Sequence, residues 1–373
     1  ADAHIPSRVN LIYVPSMKRW RQAVLSIGSV ILVASCASPK PDEHLLSLAV
    51  PFDTHLIDRK YGSMVGPRSD RHRPVLEGAQ PELIWIRGYE MAVAGPAGVA
   101  PTSQEFLCHA NVEIDGNSRQ IMSAKFRFSQ RDARLFTLSQ GQLSVRLPEG
   151  FGIPILSTEP LNLHSMVLNH NVTRETFTVA TLGRLNYVRQ RDLKKPLIPL
   201  YTAGVGAMAL IEGRNGYYGI SDPDTAQHGP GCLPGADVSN DFYQDEFGRK
   251  FTGHWVVPPG RQVNHTLVTR FMKLRYDTRI HFIAVHLHPY AESMELRDLT
   301  TGKTLYHGAA ENFADRVGLS RVDYFSNVEG IPVYKDHQYE VVSVYNNPTG
   351  VNQDAMAALF LYLHDREFED LGG

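Results

Sequence analysis

The chain has 373 residues, room for two ordinary domains, and its 43% hydrophobic and 20% charged content is that of a chain that buries a real core. A formal net charge of −2 gives no electrostatic reason for nucleic acid or an acidic surface as partner. Three cysteines exclude a disulfide-dense scaffold and a thiolate zinc cluster.

Residues 17–36 read MKRWRQAVLSIGSVILVASC. Lys18, Arg19 and Arg21 form a basic start, and Ala23 to Ala34 supply the short apolar run of an export signal. At ~1.5 Å per helical residue, that run is too short to cross a ~30 Å hydrocarbon core comfortably. Val33, Ala34 and Ser35 then precede Cys36, and the segment resembles the lipobox of bacterial lipoproteins. The resemblance implies a lipidated Cys36, membrane attachment through that lipid, and a folded part in the bacterial cell envelope. Ala37, rather than Asp, implies the outer membrane. An uncleaved anchor and an ordinary signal peptide stay open as alternatives. Residues 1–16 lie upstream of Met17 and read as an over-early start.

Residues 37–80 are rich in Pro, Ser, Asp, Arg and His with little periodicity, as in ASPKPDEH and GPRSDRHRP, and read as a tether plus irregular lead-in. From about residue 82 the chain becomes short β-type runs broken by Gly, Pro, Asn and Asp: ELIWIRGYEMAV, FLCHANVEI, AKFRFSQ, LHSMVLNHNV and TFTVATLGRLNYV. A polar, Gly- and Pro-rich stretch follows at 212–249, and strands then resume with GHWVVPPG, RIHFIAVHLHPY, YEVVSVYNN and AMAALFLYLHD. No sustained helical stripe is present. The expectation is an all-β protein with two antiparallel β-sandwich (jelly-roll) domains in tandem, at 81–200 and 246–368, separated by a loop insertion at 201–245.

His286 and His288 carry the chemistry. Alternation along a strand puts Ile280, Phe282, Ala284, His286 and His288 on one face, with the two histidine Cα atoms about 6.6 Å apart. Both imidazoles can then lean onto one ion. A surface or core histidine pair is the plainer alternative, since 16 histidines make a chance His-x-His unremarkable.

Residues 280–298, IHFIAVHLHPYAESMELRD, and 323–364, which end in NNPTGVNQDAMAALFLYLH, resemble the C-terminal domain of the copper type II, ascorbate-dependent monooxygenases. A weaker likeness runs back through VVPPG, LPEGFG and FLCHANVEI, to about residue 80. The resemblance implies a copper site of His286, His288 and Met356, the last from the run Asp354-Ala355-Met356. It also implies dioxygen and a small molecule as substrates, and an ascorbate-like reductant. Two imidazoles and a thioether form a soft set that suits Cu(I) and leaves a position open for dioxygen. A Met among Ala, Leu and Phe is otherwise a core residue.

The sequence departs from that family in two places. The electron-transfer copper site needs an adjacent His-His pair, and no such dipeptide occurs in the chain. His109, His164 and His170 are the candidates for a rebuilt second site, with His164, Met166, Leu168 and His170 expected on one strand face. The positions matching the family's carboxylate anchors are Ala284, Ala358 and Phe360, which cannot pair with a carboxylate, so an uncharged substrate is expected. The resemblance also implies a disulfide at Cys108, for which Cys232 is the available partner; two free thiols are the alternative.

Two other functions fit the same histidines. One is a copper-binding or copper-sensing lipoprotein without catalysis. The other is a cupin-type iron or manganese enzyme, since His286-Leu287-His288-Pro289-Tyr290-Ala291-Glu292 satisfies the first half of that motif, His-x-His-x3-Glu.

Overall fold

A computed structural model describes residues 45–371, apart from 64, 79, 95–103, 116–121, 124, 130–131, 173–174, 211–242 and 245–249. The described chain is all-β, with two antiparallel sandwiches in tandem. The first sandwich uses β1 (Leu46–Ile57), β2 (Arg68–Arg73), β3 (Leu83–Ala94), β4 (Leu107–Ile114), β5 (Phe126–Arg127), β6 (Arg134–Ser139), β7 (Ser144–Arg146), β8 (Phe151–Leu156), β9 (Leu161–Val167) and β10 (Phe177–Arg189). The chain then crosses over through β11 (Ile198–Gly206), β12 (Ala209–Leu210), β13 (Tyr243–Gln244), β14 (Lys250–Thr252) and β15 (Trp255–Val257). The second sandwich follows with β16 (Gly260–Leu267), the one-turn helix α1 (Thr269–Met272), β17 (Thr278–Leu287), β18 (Ala291–Asp298), β19 (Lys303–Asn312) and β20 (Leu319–Val322). It ends with β21 (Phe325–Val333), β22 (Tyr339–Asn347), β23 (Gln353–Ala355), β24 (Ala357–His364) and β25 (Glu369–Asp370).

One nine-stranded sheet runs through both sandwiches, in the order β1-β10-β3-β8-β11-β24-β17-β21, with β7 on β3. The parallel pairing of β11 with β8 joins the two halves. A four-stranded sheet, β2-β9-β4-β6, covers the first half, and a five-stranded sheet, β16-β22-β18-β19-β20, covers the second. Two expected boundaries therefore shift. Residues 46–57, expected within an irregular lead-in, are a twelve-residue strand paired along β10. Residues 201–206, expected in the loop insertion, lie in β11 and pair with β24 of the second sandwich. The rest of the expected insertion, 211–242 and 245–249, falls outside the described residues.

Alternation along β17 and β24 divides their side chains between two cores. Ile283, Val285, Leu287, Ala357, Leu359 and Leu361 fill the second sandwich. Phe282, Ala284, Ala358, Phe360 and Tyr362 face the other way and join the core of the first. The two halves are further stitched by Tyr362 Oη donating to the Leu135 carbonyl at 2.8 Å and by the Val285 N–H donating to Gln142 Oε1 at 2.9 Å. The odd face of β17 thus holds its own sandwich together, and the even face belongs to the seam between the two.

Ile280 is the exception to the expected face. The register of β17 slips between Ile280 and Phe282 against both neighbours, which is a bulge at His281. An extra residue in one strand reverses which face the following side chains take. Ile280 therefore packs with the second core, and the seam-facing series begins only at Phe282. Gly330 makes room opposite: at φ 68 it takes a left-handed conformation, and a Cβ there would come within 2.8 Å of the Ile280 carbonyl and the His281 ring.

Candidate metal centre at the seam

His286 and His288 continue the even face of β17, beyond Phe282 and Ala284. Both are buried, at 5% and 3% exposure. The pairs His286↔Ala358 and Leu287↔Ala357 put Met356 opposite His288 at the next step. The main chain confirms this: the His288 N–H reaches the Met356 carbonyl at 3.3 Å. Directly opposed residues of an antiparallel pair carry their side chains on one face, with Cβ atoms about 4.5–5.5 Å apart. His286, His288 and Met356 are thereby neighbours on the seam-facing side. Met356, 4% exposed, sits at the break between β23 and β24 and joins neither main hydrophobic core.

Two residues not assigned a site role from sequence complete the cluster. Trp255↔Ala355 is the last pair of β15 with β23, so His254 stands one step beyond, beside Met356. Asp354 lies between the imidazoles, its Oδ2 2.8 Å from His288 Nδ1 and 3.6 Å from His254 Nε2. The rings of His254 and His288 meet edge to face at 5.2 Å, and those of His286 and His288 at 5.3 Å. His286 Nδ1 and both ring nitrogens of His288 are buried without an aligned hydrogen-bond partner, as is Asp354 Oδ2. The 2.8 Å approach of His288 to Asp354 is therefore a close contact rather than a well-directed hydrogen bond. Buried, unpaired imidazole nitrogens are costly unless something else satisfies them, and a metal ion is one such group. The donors fit one: two or three neutral imidazoles, a thioether and a carboxylate.

Burial disfavours a charge on the His286 imidazole, and ligation requires its neutral form. Burial pushes His286 well below the ordinary histidine range, and the neighbouring His288, His109, Arg134 and His254 push the same way. Burial by itself would raise the Asp354 carboxyl; His288 and His254 outweigh it and hold the group well below the usual carboxylate range.

The three histidines expected as a second site come apart. His109 opposes Met166 across β4 and β9 and lies diagonal to His164, so the two histidines share the outer face of the four-stranded sheet. Burial drives the His109 pKa down to about 3, and Arg134, His164 and His288 push the same way. His164 is tied down instead, its Nδ1 against Asp70 and its Nε2 3.9 Å from Glu113. His170 is not on the strand face expected for it, because β9 ends at Val167 and Asn169 turns away to bridge Tyr61. It is half-buried, its Nε2 enclosed without a partner, and it feels Asp354 and His288. His109 and His170 thus feel His288 electrostatically, while His164 is held by Asp70 and Glu113.

The remaining expected residues are placed as follows. Ala284, Ala358 and Phe360 are buried in the first core. Glu292, the carboxylate of the cupin-type motif, is engaged by Arg261 at 3.0 Å and Asn346 at 3.0 Å on the surface. The carboxylate beside the histidines is Asp354. Cys108 is buried at a bulge of β4, packed with Met166 and Leu168. Cys232 and Cys36 lie outside the described residues. Among the described residues, no helix is long and apolar enough to cross a membrane.

No protein-family model matches the chain, and no curated protein matches it. Among solved structures, it is similar to a peptide-N(4)-(N-acetyl-β-D-glucosaminyl) asparagine amidase, at 8% identity and a TM-score of 0.32, over 86% of this chain and 96% of that one. It is also similar to the STIV MCP, at 8% identity and a TM-score of 0.31, over 85% and 97%. PNGF-II matches at 9% identity and a TM-score of 0.30, over 86% of this chain, which spans 65% of that protein's length. These likenesses are remote, and the functional reading rests on the residues at the seam.

Proposed function

We propose that this protein holds copper at the seam through His286, His288 and Met356, and uses it to hydroxylate a small uncharged molecule with dioxygen. The observation that supports the reading is the strand register, whose next step brings the backbone of Met356 opposite that of His288. That donor set favours Cu(I) over harder ions. Copper bound there supplies the redox chemistry needed to activate dioxygen. The chain's own part is to fix the donors and limit access. The two strands orient His286 and His288, Tyr345 pins the Met356 main chain at 2.6 Å, and the surrounding core excludes bulk water. Alanine at 284 and 358 and phenylalanine at 360 cannot pair with a substrate carboxylate. An ascorbate-like reductant follows from the family resemblance, as does placement in the cell envelope through a lipid on Cys36.

A non-catalytic copper-binding or sensing role is the second reading, and one observation favours it. His286, His288 and Met356 are each at most 5% exposed, which leaves little way in for anything larger than dioxygen. One experiment separates the two. Copper-loaded full chain, given ascorbate and dioxygen, should consume dioxygen steadily if it is an enzyme. Stoichiometric copper with no consumption beyond the buffer rate would leave the binder, and absence of copper would remove both.

A further inference from the structure

The strand register that brings Met356 beside His288 also brings in His254 and Asp354, which the copper reading does not use. His254, His288 and Asp354 can each offer one ligand atom such that the three atoms lie within 4.8 Å of one another. The carboxylate is central, 2.8 Å from one nitrogen and 3.6 Å from the other. An ion bound tetrahedrally at about 2.0–2.2 Å from nitrogen and oxygen donors keeps those donors roughly 3.3–3.5 Å apart, so small side-chain shifts would close the shell. His254 and His288 are buried at 7% and 3% exposure. His288 Nδ1 and Asp354 Oδ2 face each other at 2.8 Å in an ion-pair contact that is not aligned as a hydrogen bond.

We infer that His254, His288 and Asp354 form a second cation position, selective for a divalent ion of the zinc type. Two imidazoles and a carboxylate are harder donors than two imidazoles and a thioether, so this position prefers Zn(II) or Co(II) where the neighbouring one prefers Cu(I). The fourth position is open to water or to the His170 side, whose imidazole lies within electrostatic reach of Asp354. The two positions use opposite edges of one ring: Nδ1 of His288 faces Asp354 and Nε2 is left for the softer ion, so both fill at once only when the ring gives up its remaining N–H proton and bridges as imidazolate. The inference shares His288 with the copper reading but does not rest on it.

The test is a Co(II) titration of the metal-free full chain, followed by visible absorbance, with Cu(I) affinity measured in parallel against a chromophoric chelator. The wild type should bind one Co(II) per chain with the intense bands of a tetrahedral site. His254→Ala and Asp354→Asn should each weaken Co(II) on the order of 100-fold or more, and by a clearly larger factor than they weaken Cu(I). Met356→Leu should do the reverse. A wild type that binds no Co(II), or a His254→Ala chain that binds it as the wild type does, overturns the proposal. Circular dichroism checks that each variant folds; should His254→Ala fail, the near-isosteric Asp354→Asn decides.

Discussion

The main-chain N–H of His288 is shared between the Tyr345 hydroxyl at 3.1 Å and the Met356 carbonyl at 3.3 Å, and that same hydroxyl donates to the Met356 carbonyl at 2.6 Å. One buried phenol thus ties together the backbones of two proposed ligands from different strands. Tyr345→Phe removes the clasp and leaves the Met356 carbonyl with a single long partner. Such a loss costs about 1–2 kcal/mol. Denaturant unfolding should show that decrease, and Cu(I) affinity should fall by roughly tenfold as the donors loosen.

Met356 is buried but stands apart from both main cores, so its role separates cleanly from packing. Met356→Leu keeps volume and apolarity and should change stability by less than about 1.5 kcal/mol. Chelator competition should nevertheless show Cu(I) affinity lowered by at least tenfold. A purely structural Met356 would leave that affinity unmoved.

The seam predicts that the two sandwiches unfold together. Phe282 comes from the second sandwich yet packs in the core of the first, and it also meets Tyr362 edge to face at 5.5 Å. Phe282→Ala should cost about 3–5 kcal/mol. Tyr362→Phe, which loses only the hydrogen bond to Leu135, should cost about 1 kcal/mol. Thermal unfolding of the wild type should be one transition by both circular dichroism and tryptophan fluorescence, and both variants should move it as a unit.

Acid should destabilise the metal-free protein over a defined window. His109 falls from an ordinary 6.5 to about 3 in the fold, chiefly through burial, and His286 is depressed in the same direction. Between those values the unfolded chain holds protons that the folded one refuses, so stability drops as pH falls from about 6.5 toward 3. Asp354, whose carboxyl is also depressed, adds a further loss below its ordinary 3.8, where the unfolded carboxylate protonates first. Melting temperatures measured from pH 8 to pH 4 should decline most steeply below 6.5, and His109→Gln should flatten that decline.

How much of this could be read from the residues depends on which physical signal each part leaves. Alternation in RIHFIAVHLH showed that His286 and His288 share a face with Ala284, because the period of two is written into the sequence. The bulge at His281 was not legible: it depends on how β21 and β24 pair with β17, and no local composition announces it. β1 was missed because it is an edge strand that carries Pro51 and leaves many side chains exposed, which erases the apolar alternation. β11 runs past the expected domain edge at residue 200, because its partner is β24, more than about 150 residues away along the chain. His254 gave no motif of its own. It reaches the site through the pairing of β15 with β23, a contact across about 100 residues of chain. Its only sequence hint was the step just before Trp255-Val256-Val257, a run already recognised as a strand.

The account stands or falls on sulfur. X-ray absorption of the full chain loaded with one Cu(I) should show a sulfur scatterer beside two imidazoles, and the sulfur signal should vanish in Met356→Leu while the imidazole signal persists. Copper surrounded by nitrogen and oxygen alone in the wild type, or a sulfur signal indifferent to residue 356, would contradict the proposed centre.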